Sequence, residues 1–262
     1  ASSQAQAAMT YTEGDLLLAF RQTGNSTTYM VNLGSAAGFR DQTGTVADIG
    51  ITGLAADMAA TFGAGWYSDN TIFASIVAGS GVNGAVLIPG DGTSTTPPNQ
   101  SKSIYVSKSG TGSALDTPFS NLAAATVRTM AGTIGSTFGG VYAAGTATGN
   151  NSAGTLISTS VTNDYTDLIP PTAANYFGGL TASTEVNPNG TFDLYRILAN
   201  NTGATDSVAN GVSQYQGAFT ISSGGVVSFN SDVASAVPEP SRFVLLGLGL
   251  SGLLMRRRRR KA

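Results

Sequence analysis

The side chains that could carry out acid–base or nucleophilic chemistry are of few kinds in this chain. Its 262 residues include 15 Asp and Glu but no His and no Cys. Ser-His-Asp triads, the common zinc sites, thiol nucleophiles and disulfides are therefore excluded. A glycoside hydrolase needs two carboxylates that face one bond, and the spacing of the acidic residues places no such pair together. We therefore predict no catalytic residues, no cofactor and no enzymatic activity.

Calcium is the one metal that this composition could bind, because its ligands are carboxylates and carbonyls. The acidic loop candidates are residues 163–167 and the pair Asp91-Gly92. Neither matches the D-x-[DN]-x-[DN]-G pattern of a calcium loop. Asp is also common in turns, where its side chain bonds the local backbone. We predict ordinary turn acids at both places and no metal site.

Trp66, the single tryptophan, is followed directly by Tyr67. Such a pair could form a platform on which sugars stack, because aromatic rings pack well against apolar C–H surfaces. The alternative is that Trp66 anchors the core beside a neighbouring helix. Tryptophan is largely buried in most proteins, so the core interpretation is favoured, and Trp66 and Tyr67 remain candidate sugar-binding residues.

The C-terminal end combines three segments in a fixed order. A proline-containing stretch consists of Val237, Pro238, Glu239, Pro240 and Ser241. Residues 243–255 then carry no charge, and as a helix they would span roughly 20 Å, against a bilayer core of about 30 Å. A basic run ends the chain, formed by Arg256, Arg257, Arg258, Arg259, Arg260 and Lys261. The run predicts a cytoplasmic end for a short membrane helix.

These three segments resemble the PEP-CTERM sorting signal of Gram-negative bacteria. The resemblance implies that an exosortase, a membrane-embedded processing enzyme, cuts near Pro238-Glu239-Pro240. The protein would then pass to the outer surface or the exopolysaccharide matrix. The alternative is a simple C-terminal membrane anchor with a basic stop. Gly247 to Gly252 also match G-x-G-x-x-G, but no βαβ unit surrounds them, so we reject a nucleotide site.

Stretches of the body also resemble secreted proteins with this same tail from verrucomicrobial-type genomes. That resemblance bears on location rather than on chemistry. It rests on residues 14–21, 29–34, 62–66, 193–196 and 217–221.

Charge is divided unequally between the body and the tail. Residues 1–237 carry six basic and 14 acidic side chains. An acidic body argues against nucleic-acid binding, which needs a Lys/Arg surface. At the N-terminus, Ala5-Gln6-Ala7 has the small-x-small form of a signal-peptidase site. Residues 1–8 are therefore either a signal-peptide remnant or a disordered polar N-terminus.

The elements that would position these residues are mostly strands. Apolar runs at 15–21 and 28–33 predict a strand–loop–strand unit, and Asn189-Gly190 and residues 222–225 predict hairpin turns. Leu54, Met58 and Phe62 predict a helix capped by Thr52 and ended by Gly63. Thr117-Pro118 predicts a second helix to about Met130. Residues 132–154, rich in Gly, Ala and Thr, remain a loop or a surface insert.

We predict a mainly β fold, an antiparallel β-sandwich-like domain with a few short helices, plus the C-terminal hydrophobic helix. Residues 9–230 form the extracellular domain, with a subdivision near 109–115 left open. Residues 231–236 are a polar spacer, and 237–262 are the sorting signal, with the membrane helix at 243–255 and the basic tail at 256–261.

The favoured function is a non-enzymatic exported surface or biofilm-matrix protein, held transiently at the inner membrane before an exosortase processes it. The alternatives are a carbohydrate-binding module, with extracellular polysaccharide as its partner, and a self-assembling surface subunit.

Overall fold

The computed structural model of the chain describes residues 10–40, 42–80, 103–114, 116, 118–119, 122, 124–158, 184–198 and 213–231. The described part of the chain forms ten strands that belong to one sheet, and all of its strand pairs are antiparallel. The mainly β, antiparallel architecture expected from the sequence is confirmed.

The strands are β1 (Asp15–Gln22), β2 (Thr27–Ser35), β3 (Thr45–Val46), β4 (Ile72–Ser80), β5 (Ser103–Ser109), β6 (Thr146–Ala147), β7 (Gly154–Ser158), β8 (Thr191–Leu198), β9 (Ser213–Ile221) and β10 (Val227–Asn230). The helices are α1 (Ala36–Arg40), α2 (Leu54–Phe62) and α3 (Ala124–Ala144), with a 3-10 turn at Trp66–Ser68. The strand order across the sheet is β3-β10-β9-β8-β5-β4-β1-β2-β7-β6. Two-residue strands therefore form both edges of the sheet.

Strand β1 lies near the centre and is buried on both of its faces. Leu16, Leu18 and Phe20 point to one core, whereas Leu17 and Ala19 point to another. Successive side chains of a strand alternate between faces, and a strand covered on both sides is accordingly an unbroken apolar run. Both cores therefore depend on the same short stretch of sequence.

The first core, or inner core, lies inside the sheet, which curls around it. Phe39 of α1 follows β2, yet its ring centroid lies 5.0 Å from that of Phe219 on β9 and 5.2 Å from that of Phe229 on β10. In the strand order, β2 and β10 are separated by five other strands. Only a curled sheet can bring these walls face to face, and α1, α2 and Trp66 fill the space between them.

The second core lies on the outer face, under α3. The helix packs so closely on β4 that a Cβ at Gly135 would lie 2.9 Å from the carbonyl oxygen of Gly79. A methyl group at Gly139 would overlap the ring of Tyr11. The larger side chains of α3, including Ile134 and Phe138, fill the remaining space above the sheet. Small residues at the contact thus allow backbone-to-backbone approach.

Several local predictions are confirmed. The β1–β2 and β9–β10 hairpins form where expected. Helix α2 covers Leu54–Phe62 and ends at Gly63. Its cap was predicted wrongly, because Gly53, with a φ of 79°, occupies the N-cap without any side-chain cap from Thr52. A Cβ at Gly53 would overlap the backbone of Asn150, so close packing and a left-handed backbone both require glycine there.

Three predictions are corrected. The second helix does not begin at Thr117-Pro118 or end near Met130, because Pro118 and Phe119 lie outside any helix and α3 covers Ala124–Ala144. Residues 132–144, for which the sequence favoured a loop or a surface insert, belong to this 21-residue helix. The tight turn at Asn187–Gly190 exists, but it does not join two paired strands. Val186 before it bridges to Ala74 of β4, whereas β8 after it pairs with β5 and β9.

Some predictions fall outside the described residues. They include the hydrophobic helix at 243–255 and the basic tail at 256–261. Within the ranges that are described, no helix is both long enough and apolar enough to cross a membrane.

Candidate functional site

The Trp66 indole belongs to the inner core. It is 3% exposed, and the ring of half-buried Tyr67 lies edge-on to it at a centroid distance of 5.5 Å. The 3-10 turn that directly follows α2 directs Trp66 inward. A stacking platform needs an open ring face, whereas Trp66 is buried in the same core cluster as Leu54 and Met58.

The predicted sorting residues (237–241) and basic tail (256–261) lie outside the described residues. The same holds for the acidic loops at 163–167 and Asp91-Gly92. The described part of the chain therefore contains none of these side chains.

Two carboxylates that the sequence did not connect meet at one end of β5 and β8. Asp193 lies on β8 and is fully buried, at 0% exposure. The chain leaves β5 through Gly110 and Gly112 and folds back, so that the Gly112 N–H donates a 2.9 Å hydrogen bond to Oδ1 of Asp193. This return brings Asp116 into hydrogen-bonding contact with Asp193. The pair exists only because β5 and β8 are neighbours.

The loop itself fixes Asp116. The Thr111 N–H donates a 2.6 Å hydrogen bond to Oδ2 of Asp116, and the Thr111 hydroxyl donates to the same oxygen at 2.9 Å. The Asp116 N–H in turn donates to the carbonyl of Ser113 at 3.0 Å. Asp in a turn commonly bonds the local backbone in this way. The carboxylate is thus positioned by its own loop, beside a second carboxyl from another strand.

The two carboxyl groups have opposite pKa shifts. Burial, and then the hydrogen bond with Asp116, raises the pKa of Asp193 to about 7. The weaker opposing effects come from the Gly112 N–H and the Lys108 ammonium. The Thr111 N–H, followed by the hydrogen bond with Asp193, lowers the pKa of Asp116. Two carboxyls in contact cannot both ionise easily, so a proton shared between them is held on Asp193 in preference to Asp116.

Aromatic rings and one amine surround the carboxyl pair. Tyr195 lies two residues from Asp193 on β8, and its ring centroid is 5.4 Å from that of Phe119 and 5.7 Å from that of Tyr215. The Lys108 Nζ lies 5.3 Å from the Phe119 centroid and 6.0 Å from that of Tyr195. Burial, then the charge of Asp193, raises the pKa of Tyr195 to about 12. We call Lys108, Asp116, Phe119, Asp193, Tyr195 and Tyr215 the acid–amine cluster.

The acid–amine cluster suits proton transfer better than cation binding. Both carboxylates accept backbone N–H groups, and a Lys side chain stands nearby. Calcium needs oxygen ligands on all sides. Within the described ranges, no group of three or more His, Cys, Asp or Glu could hold a metal ion. A protonated carboxyl, an ionised carboxyl and an amine are instead the components of acid–base chemistry.

A second buried polar cluster has a structural role. Tyr29 of β2 donates a 3.0 Å hydrogen bond to Asp57 of α2, and Asn151 donates to the Tyr29 oxygen at 3.0 Å. Asn150 donates to the other oxygen of Asp57 at 2.9 Å. These bonds tie α2 and the β6–β7 connection to β2. Burial, and then the charge of Asp57, raises the pKa of Tyr29, which keeps its hydroxyl protonated.

Comparison with known protein families identifies the C-terminal segment. Residues 236–260 match the family model described as the PEP-CTERM protein-sorting motif. The chain carries a PEP-CTERM sorting signal. The match includes every residue predicted for the processing stretch, the hydrophobic segment 243–255 and the five arginines that follow it.

The PEP-CTERM signal marks a protein for export, for transient membrane anchoring and for processing by an exosortase. It says nothing about what the body of the protein does. No curated protein and no solved structure matches the chain significantly.

Proposed function

We propose that this chain is a non-enzymatic protein of the outer cell surface or exopolysaccharide matrix of a Gram-negative, verrucomicrobial-type bacterium. The PEP-CTERM match at residues 236–260 is the observation that carries the proposal. In it, residues 10–231 are the delivered cargo, and residues 237–262 are the address that an exosortase removes.

Each part of the tail has a physical role in this proposal. A helix over 243–255 would span roughly 20 Å, which is short for a bilayer core of about 30 Å. Such a helix suits a temporary anchor better than a permanent one. The cations at 256–261 hold that end in the cytoplasm. Pro238 and Pro240 prevent a helix from continuing through the cleavage region, which keeps it extended for the processing enzyme.

The absence of catalysis is also part of the proposal. The sequence contains no His and no Cys. In the described residues the carboxyl pair Asp116–Asp193 has the right chemistry for an acid–base role. However, Asp193 is fully buried, and its Oδ1 is already occupied by the Gly112 N–H. These features support a role of the pair within the protein itself rather than on an external substrate.

The test is the intact mass and C-terminal peptide map of the protein recovered from its native cells and medium. We expect the recovered chain to end near Pro238-Glu239-Pro240. A surface or matrix protein would then be recovered outside the inner membrane. Retention of residues 256–261 in the mature protein would contradict the proposal and leave a membrane-anchored periplasmic protein.

Two variants of the tail separate charge from sequence. Deletion of residues 256–261 removes the cytoplasmic stop, and we expect loss of correct membrane orientation and of processing. Replacement of the five arginines 256–260 by lysines keeps the positive charge and should preserve orientation. Normal processing of the deletion variant would contradict the proposed role of the tail.

The two alternatives from the sequence lack a supporting observation among the described residues. A carbohydrate-binding module would use Trp66 and Tyr67, but the Trp66 indole is packed in the inner core. A self-assembling subunit would use long free strand edges, whereas both edges of this sheet are strands of two residues. Saturable polysaccharide binding that Trp66→Ala abolishes without loss of folding would favour the first alternative.

A further inference from the structure

Lys108 and Asp193 are directly opposite one another on neighbouring antiparallel strands. In the β5–β8 ladder, the partner of Lys108 is Asp193. Side chains at directly opposed positions project from the same face of a sheet, with their Cβ atoms about 4.5–5.5 Å apart. The four methylenes of a lysine can cover that separation, so the Lys108 nitrogen can reach the carboxyl carbon of Asp193 by side-chain rotation alone.

The position of Asp193 is fixed, and its second oxygen is available. Gly112 donates to Oδ1, and a methyl group at Gly110 would overlap the carboxyl group. Among the described residues, no donor gives a hydrogen bond to Oδ2, although this atom is buried. The Asp116 carboxylate is a hydrogen-bond partner of the Asp193 carboxyl. A buried oxygen without a donor is costly for an ionised carboxylate, whereas a protonated carboxyl can itself donate to Asp116.

The aromatic residues of the acid–amine cluster place the amine in weakly polar surroundings. Phe119 is 3% exposed, and Tyr195 is 1% exposed. Their rings flank half-buried Lys108 on the same side of the sheet as Asp193. Burial disfavours the charged form of a carboxyl. Lys108 and Asp193 thus project from the same face of the sheet, with these two rings beside the amine.

We propose that Lys108 and Asp193 are joined by an intramolecular amide bond between Nζ of the lysine and Cγ of the aspartate. Asp116 is the proton acceptor for this reaction. The bond would link β5 to β8, two neighbouring strands in the middle of the sheet. The proposal concerns the body of the protein and does not depend on the sorting proposal.

The reaction is balanced without any external reagent. The Lys108 ammonium loses one proton to solvent, and the neutral amine attacks Cγ of Asp193 with its lone pair. The Asp116 carboxylate then accepts a second proton from the attacking nitrogen and passes it to the hydroxyl of the protonated Asp193 carboxyl, so that the C–OH bond breaks and water leaves. One N–C bond replaces one C–O bond, nothing is oxidised or reduced, and Asp116 is a carboxylate again at the end of the reaction. Because the pKa of Asp193 is raised to about 7, part of this carboxyl is protonated near neutral pH, and its hydroxyl can leave as water.

A crosslink of this kind would give this chain the covalent stabilisation that disulfides give to other proteins. The chain contains no Cys and therefore has no disulfide. An amide bond between two strands reduces the number of conformations that the unfolded chain can adopt, as a disulfide does. Unlike a disulfide, it does not depend on the redox state of the compartment.

The experiment is the intact mass of the folded full chain, expressed without an exosortase. The expected mass is lower than that of the sequence by one water. Tandem mass spectrometry of a digest should find the peptide containing Lys108 joined to the peptide containing Asp193. Chain that is kept unfolded in denaturant should retain the full mass, because the reaction needs the native site. Full mass in the folded wild-type chain would overturn the proposal.

Three variants sharpen the test. Lys108→Arg keeps the charge but cannot form this bond, and its mass should be that of its sequence. A succinimide at Asp91-Gly92 would also lose one water, but Lys108→Arg would not abolish that loss.

Asp193→Asn should lose ammonia rather than water on forming the same bond. Asp116→Asn removes the proton acceptor and should slow the reaction by about 100-fold or more. A mass deficit that persists in Lys108→Arg, or a link to any carboxyl other than Asp193, would contradict the proposal.

Discussion

The hydroxyl of Tyr29 lies 3.0 Å from Oδ2 of Asp57 and donates a hydrogen bond to it inside the curled sheet. Tyr29 is on β2, next to the β6–β7 edge, and Asp57 is on α2. At the start of the same helix, Ala55 packs against Gly225 in the β9–β10 turn. Helix α2 therefore connects the two ends of the sheet, and the Tyr29–Asp57 bond fixes it at one of them.

Tyr29→Phe should destabilise the fold by about 1–3 kcal/mol. The change removes a hydroxyl that both donates to Asp57 and accepts from Asn151, and it leaves these buried groups without that partner. Chemical denaturation measures the free energy of unfolding directly. Tyr67→Phe is the matched control, because the half-buried Tyr67 has no part in this network. Equal stability of the two variants would show that the Tyr29 bond contributes nothing.

Gly135→Ala and Gly140→Ala should have opposite effects, although both lie in α3. At Gly135, the new methyl group would meet Gly79 at 2.9 Å and the Glu13 side chain at 3.1 Å, and the helix would have to move away from β4. At Gly140, nothing lies within 4 Å. Alanine there should stabilise the helix by up to about 1 kcal/mol. Thermal unfolding of the two variants tests the pair, and stabilisation by both would contradict the close packing of α3 on β4.

Breaking the ion pair between Arg21 and Glu185 should cost roughly 3–5 kcal/mol in the Arg21→Met variant. Arg21 donates to the two oxygens of Glu185 at 2.7 and 2.5 Å, and the Glu185 side chain is only 3% exposed. The loss leaves a buried carboxylate without its fork of N–H donors. The double variant Arg21→Met/Glu185→Gln removes the charge as well. It should be more stable than Arg21→Met alone, and the reverse order in a double-mutant cycle would contradict this account.

The stability of the Lys108→Arg chain should fall as the pH rises from about 4 to about 7. In this variant, Asp193 cannot be consumed by the proposed amide bond and remains free to titrate. Its pKa is raised from 3.8 to about 7, so the folded state binds more protons than the unfolded state within this window. Stability is therefore fully present below the lower value and is lost toward the upper one. The groups facing Asp193 are Asp116, position 108, Tyr195 and Tyr215.

Urea unfolding at a series of pH values measures this dependence. Adding Asp193→Asn to Lys108→Arg should remove most of the slope, because an amide does not titrate. An unchanged slope in the double variant would assign the pH dependence to other groups. In the crosslinked wild-type chain the Asp193 contribution should likewise be absent, since its carboxyl has become an amide.

Local patterns in the sequence were sufficient for the β1–β2 hairpin, the β9–β10 hairpin and α2. Two spacings indicate which side of an element is buried. They are the alternation of Tyr29, Val31 and Leu33 on β2 and the helical spacing of Leu54, Met58 and Phe62 on α2. Both sets belong to the inner core. Periodicity could not assign residues 132–144, because their glycines lower helix propensity. They form part of α3 since Gly135 and Gly139 allow contacts with β4 and Tyr11 that larger residues would prevent.

The acid–amine cluster was not predictable from spacing. Asp116 has a local role as a turn acid, and Asp193 lies in the strand that follows the turn at Asn187–Gly190. The missing information was that β5 and β8 are neighbours, although the chain between them contains α3, β6 and β7. That pairing places Lys108 opposite Asp193 and allows the loop after β5 to carry Asp116 to the same point.

The amino-acid sequence was enough to identify the sorting signal of this protein and the kinds of reactive side chain that it carries. A sorting signal is a linear motif, read by its order of prolines, apolar residues and cations, so no tertiary contact is needed to recognise it. The lack of His and Cys is equally a property of the chain alone. Only the tertiary structure decided that Trp66 lies in the core, that α3 packs on β4 through glycines, and that two distant carboxyls meet an amine. Strand order and sheet curvature depend on how separate segments bury their apolar faces together, and that is a property of the whole fold rather than of any one segment.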